Sequence, residues 1–217
     1  FLFERQNQFI SINGKISDKE EDNLRLKVSH LQLDDFGALL QTPVDLRGEV
    51  NGFGEISTPF TKIGFNGDAS IKGLYINNEE VGDVFVHSEW VKGEESVKLL
   101  GDLIYRNTKT FAFDGKYHVN RKKDNRDFNL VFDKTDIQFT NAFMDPQVLS
   151  NITGILDGKL EVHGTPDFPK LEGKLDLTNG GAKVGILGVK FMTNGTINVD
   201  EYGFYMDNIP VIDEEGN

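Results

Sequence analysis

The side chains able to do chemistry are few. Histidine occurs four times, at His30, His87, His118 and His163, and cysteine is absent. Each histidine lies in or at the end of a strand-like run, with no second histidine or glutamate at a spacing that would build a metal site. The lack of cysteine removes thiolate nucleophiles, redox pairs and zinc fingers. His87-Ser88-Glu89 has the composition of a triad. Neighbours along a strand point to opposite faces, however, and no Gly-x-Ser-x-Gly elbow is present to expose a serine. The acidic runs Asp18-Lys19-Glu20-Glu21-Asp22 and Asp213-Glu214-Glu215 lack the alternating ligands, glycine and closing glutamate of a calcium loop, and read as charged turns. Gly52-Phe53-Gly54 precedes strand residues, and Gly180-Gly181 has no following Lys and Ser/Thr, so neither is a phosphate loop. A carboxylate pair for glycoside hydrolysis is permitted by 35 acids, but nothing singles out two of them. The expectation is a protein that is not an enzyme and carries neither cofactor nor metal.

The charge balance narrows the partners. Thirty-five acidic against 23 basic side chains give a formal charge of −12, which argues against a nucleic-acid footprint. Hydrophobic residues make up 38%, enough for a core once 23 glycines are added, and 17 phenylalanines accompany one tryptophan and six prolines. No run approaches the roughly 18 apolar residues of a membrane span. The start Phe1-Leu2-Phe3-Glu4-Arg5 lacks the order of a signal peptide, so the chain reads as a segment cut from a longer protein.

The elements that must position any site are strands. Apolar or glycine positions alternate with polar ones in Phe9 to Ile16, Leu24 to Val28, Val97 to Leu99, Phe111 to Tyr117, Leu156 to Val162 and Leu171 to Leu177. The alternation predicts strands of about 8 to 11 residues in one strongly curved sheet. Two segments resist it, Asp34 to Gln41 (Phe36, Leu39, Leu40) and Asn141 to Ser150 (Phe143, Val148, Leu149), and read as short helical plugs packed on the sheet. Pro43 and Pro146 suit the adjoining turns.

An internal repeat organises the chain. A shift of about 106 residues lays Leu24 on Leu130, Leu26 on Phe132, Gly48 on Gly154, Gly52 on Gly158, Gly67 on Gly173, Ile71 on Leu177, Gly82 on Gly188 and Phe85 on Phe191. Upstream, Ile10 to Ile16 matches Phe111 to Tyr117 if Asn120 to Arg126 is a lengthened turn. The reading is one elongated β domain over residues 1–217, with repeats at roughly 9–105 and 111–211.

The strand phase defines a candidate inner face. It comprises Ile12, Ile16, Leu24, Leu26, Val50, Ile56, Phe65 and Ile71 from the first half, and Phe113, Leu130, Phe132, Leu156, Leu160, Val162, Leu171, Leu175 and Leu177 from the second. Gly14, Gly48, Gly52, Gly54, Gly67, Gly115, Gly154, Gly158 and Gly173 fall in the same phase. Small residues among large ones let a sheet curl and leave room above the glycine. Two readings follow. In one the face is an apolar trough partly unfilled by protein, suited to acyl chains; in the other it is a curved sandwich whose glycines make room for phenylalanines.

Ile152 to Pro166 (ITGILDGKLEVHGTP) and Pro169 to Leu177 (PKLEGKLDL) resemble the TamB family of bacterial envelope proteins, whose C-terminal region repeats phrases of this kind before a strand. Asn179-Gly180-Gly181, Gly188-Val189-Lys190-Phe191 and Gly195-Thr196-Ile197 continue the rhythm, and Thr58-Pro59 gives a looser first copy. The resemblance covers most of residues 31–205. It implies a long sheet folded lengthwise into a trough with an apolar interior, anchored in the inner membrane outside this chain and spanning the periplasm of a diderm bacterium. It further implies a BamA-like outer-membrane partner, phospholipid movement between the membranes and a role in outer-membrane biogenesis and secretion, with no catalytic residues. Three functions stay open: a conduit whose concave face holds phospholipid acyl chains, an assembly factor pairing a strand edge with a nascent or partner barrel, and an enzyme or lectin on a β scaffold. Strand-like sequence at Phe1-Leu2-Phe3 and Ile209-Pro210-Val211-Ile212 without a cap predicts an edge-to-edge homodimer of the isolated segment.

Overall fold

The computed structural model describes every residue except 6, 16, 18, 20–21, 37–43, 58–63, 166, 208–209 and 214–217. Ile16, Leu39, Leu40, Pro43, Thr58-Pro59 and Ile209 therefore lie outside the described residues.

The chain is a single antiparallel meander. The strands are β1 (Leu2–Arg5), β2 (Gln8–Gly14), β3 (Asn23–Gln32), β4 (Leu46–Ser57), β5 (Gly64–Ile76), β6 (Glu79–Val91), β7 (Ser96–Tyr105), β8 (Thr108–His118), β9 (Arg126–Asp136), β10 (Leu149–Gly164), β11 (Pro169–Val184), β12 (Val189–Asp200), β13 (Gly203–Tyr205) and β14 (Val211–Asp213). Each strand pairs with the next as far as β13, and β14 returns to β12. The sheet curves without closing into a barrel, so its apolar face forms an open trough.

The longest strands, β10 and β11, run 16 residues, well past the 8 to 11 that the alternation predicts. Bulges explain the difference. His30, Gly73, Lys134 and Asn179 adopt left-handed backbone (φ 53°, 57°, 51° and 52°) within β3, β5, β9 and β11. At each of them an extra residue breaks the ladder, and its N–H needs another acceptor. The acceptors are Oδ1 atoms from the following strand: Asn51 for His30 (2.9 Å), Asp83 for Gly73 (2.7 Å), Asp157 for Lys134 (2.8 Å) and Asn194 for Asn179 (2.6 Å). The bulge bends the sheet while the side-chain cap lets the strand continue.

Both helical segments are 3₁₀ turns. The first covers Asp34–Phe36, with the remainder of the expected plug outside the described residues. The second covers Gln138–Phe143, several residues earlier than the Asn141 to Ser150 of the sequence reading. Asp145 explains the early stop, because its side chain accepts the Gln147 N–H (2.9 Å) and its carbonyl accepts those of Val148 and Leu149, turning the chain through Pro146 into β10. Phe143 and Val148 are exposed and do not pack as expected. Asn141 holds this segment, since its amide both donates to the Ile152 carbonyl (2.8 Å) and accepts the Ile152 N–H (2.7 Å), as a strand residue would. The segment also lies close to β6, and the Asn77 amide in the turn before that strand donates to the Ala142 carbonyl (3.4 Å).

Candidate functional site

The register assigns the faces without ambiguity, because directly paired residues project to the same side. One row across the sheet runs Ile12, Leu26, Gly54, Gly67, Ser88, Leu99, Gly115, Phe128, Val162, Leu171. The next runs Ile10, Val28, Gly52, Ala69, Val86, Gly101, Phe113, Leu130, Leu160, Gly173, Val199. A third runs Leu31, Val50, Ile71, Val84, Leu103, Phe111, Phe132, Gly158, Leu175, Ile197. Gly14, Leu24, Ile56 and Phe65 pair in sequence at one margin, and Leu156 pairs Leu177 at the other. Gly48 and Gly154 sit beside bulges, where a Cβ would come 3.0 Å from Ile71 Cγ2 and 2.8 Å from Leu177 Cδ1.

The space over several of these glycines is already taken. A Cβ on Gly101 would overlap the Phe113 ring, one on Gly115 the Phe128 ring, and one on Gly54 would approach the Phe65 ring at 3.0 Å. Aromatic side chains thus cover glycines of the strand before their own, which keeps the face apolar and lets neighbouring strands approach closely.

Beside these rings the face is hollow. A cleft of about 240 Å³ opens over β3 to β6, walled by Leu26, Val28, Val50, Phe65 and Val86 and floored by Gly52, Gly54, Gly67, Ala69 and Ser88. A second, of about 270 Å³, opens over β7 to β10 among Leu99, Tyr117, Phe128, Leu130 and Val162, with Arg126 at its edge. Further along, Leu160, Leu175 and Val199 are buried and pack with Leu130, Phe132, Leu156, Leu171 and Ile197 into a small core. The inner face is therefore trough in its first two thirds and packed core in its last.

Ala69, Val86, Ser88, Leu99, Gly101 and Phe128 were not among the residues expected on this face. In β6 and β7 the period of two is hidden, because Phe85 and Leu100 place apolar side chains on the outer face between inner valines and leucines. The outer face is accordingly less polar than the sequence suggests: Phe53, Phe85 and Leu100 are exposed there around a groove of about 500 Å³. Cross-strand ion pairs occupy much of the rest, among them Arg25–Glu55 (2.9 Å), Lys109–Asp102 (2.6 Å) and His87–Asp68 (2.7 Å), each a small contribution at such exposure.

Three histidines are ordinary surface partners of carboxylates: His30 lies 3.1 Å from Glu49, His87 beside Asp68, and His163 3.4 Å from Glu161. His118 differs, being buried with its Nδ1 lacking a partner among the described residues. Burial pushes its pKa down, and the nearby Arg121 and Lys116 cations act the same way against the opposing pull of Glu94 and Asp127. Glu94 is held below the usual carboxylate range by its hydrogen bond from Lys116 (2.6 Å), and Glu49 by one from Asn51 (2.9 Å). Among the described residues no group of His, Asp and Glu is arranged to hold a metal.

The fold and face together define an open β trough with an apolar floor. No family model, curated protein or solved structure matches the chain.

Proposed function

We propose that this chain is a non-catalytic section of a lipid conduit, in which acyl chains lie along the hollow part of the inner face while the outer face meets water. The observation that carries the reading is the cleft over β3 to β6, whose walls are aliphatic and aromatic and whose floor is glycine, alanine and serine. Each methylene removed from water contributes roughly 0.8 kcal/mol, so a few carbons of an acyl chain bind there without any specific polar contact. The resemblance of Ile152 to Leu177 to TamB proteins favours the same role, with the periplasm as setting and phospholipid as cargo. Lipid extraction and native mass spectrometry of the purified chain test it. The expected result is co-purified phospholipid that detergent displaces; a chain that carries no lipid and binds none on addition would end the proposal.

A second reading rests on the edge of β12. β12 pairs with β11 on one side; on the other, β14 pairs with Phe191 to Thr193 and β13 with Asn198 to Asp200, which leaves the outward edge of Asn194 to Ile197 between them unpaired among the described residues. An open edge of this kind favours strand addition, by an outer-membrane β-barrel partner or by a second copy of the chain. Cysteine crosslinking from Thr196→Cys in cells is expected to trap a barrel protein if this edge is the working surface. Sedimentation separates that outcome from self-association.

A further inference from the structure

We infer that the cleft over β7 to β10 has a polar end built for the anionic headgroup of a phospholipid, with Arg126 as its principal contact. This rests on the acyl-chain reading above and adds which class of lipid is held and which way it lies.

The first observation is Arg126 itself. It begins β9 and pairs in register with Tyr117 on one side and Gly164 on the other, which puts its side chain on the inner face beside the apolar row of Phe128 and Val162. It lines the same cleft as Leu99, Phe128 and Leu130, it is half-buried, and it has no ion pair or side-chain hydrogen bond among the described residues. A guanidinium keeps its charge at any physiological pH, and a partly desolvated one gains most from a bidentate phosphate or carboxylate. Other arginines illustrate the contrast: Arg25 has Glu55 at 2.9 Å and Arg5 has Asp35 at 3.6 Å.

The second observation is what lies past Arg126. Gly164, its register partner, also lines a cleft of about 590 Å³ shared by Arg121, Lys122, Lys123 and Asp124 of the β8–β9 turn, by Asp167, and by Lys170 at the start of β11. Arg121, Lys122 and Lys123 have no carboxylate within ion-pair distance among the described residues, and Lys170 reaches Glu201 only at 3.6 Å. Four cations against two carboxylates leave a local excess of positive charge in a chain of net charge −12, and it adjoins an apolar cleft. An acyl chain lying over Phe128, Leu130 and Val162 with its phosphate toward Arg126 satisfies both parts. The corresponding hairpin of the first half, residues 17–22, carries four acids and one lysine, so the arrangement is not a property of the repeat.

Binding of three soluble amphiphiles to the intact chain tests this: a lysophosphatidylglycerol, a monoacylglycerol of the same acyl length, and glycerol 3-phosphate, which has the headgroup chemistry without the chain. The wild type is expected to prefer the anionic lipid to the neutral one by about tenfold, the size of one charge-assisted hydrogen bond, and to bind glycerol phosphate far more weakly than either. Arg126→Gln is expected to bring the anionic lipid down to the affinity of the neutral one, and Arg126→Lys to restore part of the difference. Replacing Lys122 and Lys123 together by Gln should reduce the preference by a smaller factor and flatten its salt dependence. Equal binding of the two lipids by the wild type, or an undiminished preference in a folded Arg126→Gln chain, overturns the headgroup site and leaves the acyl-chain trough standing. Glycerol phosphate binding as well as the lipid would assign the basic cleft to free phosphate and also overturn it. Failure of both lipids to bind would instead remove the trough reading on which it depends.

Discussion

The two halves of the sheet share a backbone and differ in what fills it. Val50, Gly52 and Gly54 of β4 pair with Ile71, Ala69 and Gly67 of β5, and Leu156, Gly158 and Leu160 of β10 pair with Leu177, Leu175 and Gly173 of β11 in the same order. Their bulges coincide too, with His30 and Lys134 capped by Asn51 and Asp157, and Gly73 and Asn179 by Asp83 and Asn194. Yet Gly54, Ala69 and Ser88 in the first half stand where Leu160, Leu175 and Val199 stand in the second. Small residues there give a cleft; large ones give the packed core. The lesson is that bulges and alternation set the curvature, while the size of three inner side chains decides whether the curve holds protein or leaves space for something else.

The largest effect is expected from emptying the filled half. Leu175 and Leu160 are only 4% and 5% exposed. Either one changed to Ala should cost about 2–4 kcal/mol in denaturant unfolding, because buried leucines lose both transfer energy and packing. Next comes filling the empty half. Ala69→Leu gives the first cleft the side chain of the second half at a position that is exposed, so the fold should survive with a change under about 1 kcal/mol. Lipid binding by that cleft should fall about tenfold or more, because the leucine occupies the volume an acyl segment would use. An unaltered lipid load in Ala69→Leu would mean that the cleft is not where lipid sits.

A smaller effect concerns the hairpin end of the second half. The pKa of His118 is lowered by burial, so as pH falls through about 6.5 the unfolded chain takes up a proton that the folded chain refuses. Its contribution is full above that pH and declines below it, toward the lowered folded value. Asp22, Glu49 and Glu94, also lowered, lose their contributions only on further acidification, below about 4.5. Thermal melts at pH 7 and pH 5.5 should therefore show a larger drop for the wild type than for His118→Gln. A drop of the same size in both would remove His118 as a source of acid sensitivity.

How far the sequence revealed this architecture depends on the region. Around Leu156 to Leu177 alternation is unbroken between bulges, and the meander and inner phase follow directly. At β6 and β7, Phe85 and Leu100 on the outer face erase the period, which conceals Ser88 and Gly101 although they shape the inner face. The bulges carry no apolar signature, and an extra residue shifts the phase beyond it. The uniform shift that sets Leu24 on Leu130 and Leu26 on Phe132 is two residues out in β3, because the paired positions Asp136 and Ile155 are two residues further apart along the chain than Gln32 and Glu49: opposite β4 and β10, Leu26 corresponds to Leu130 and Val28 to Phe132. Gly82 lies within β6 whereas Gly188 lies in the turn before β12, so that pair is not equivalent either. Arg126 looked like the end of a polar turn, and only its pairing with Tyr117 and Gly164 shows that it faces inward.

Placing a photo-reactive amino acid at Val86 and, in a separate chain, at His87 tests the central claim most directly. The two positions are consecutive on β6, with Val86 on the first inner cleft and His87 on the outer groove beside Phe53, Phe85 and Leu100. Illumination in a diderm bacterium expressing the protein, followed by mass spectrometry of the adducts, is predicted to give phospholipid crosslinks at Val86 and none at His87. Lipid at both positions alike, or at His87 alone, would contradict an acyl-chain trough on the inner face.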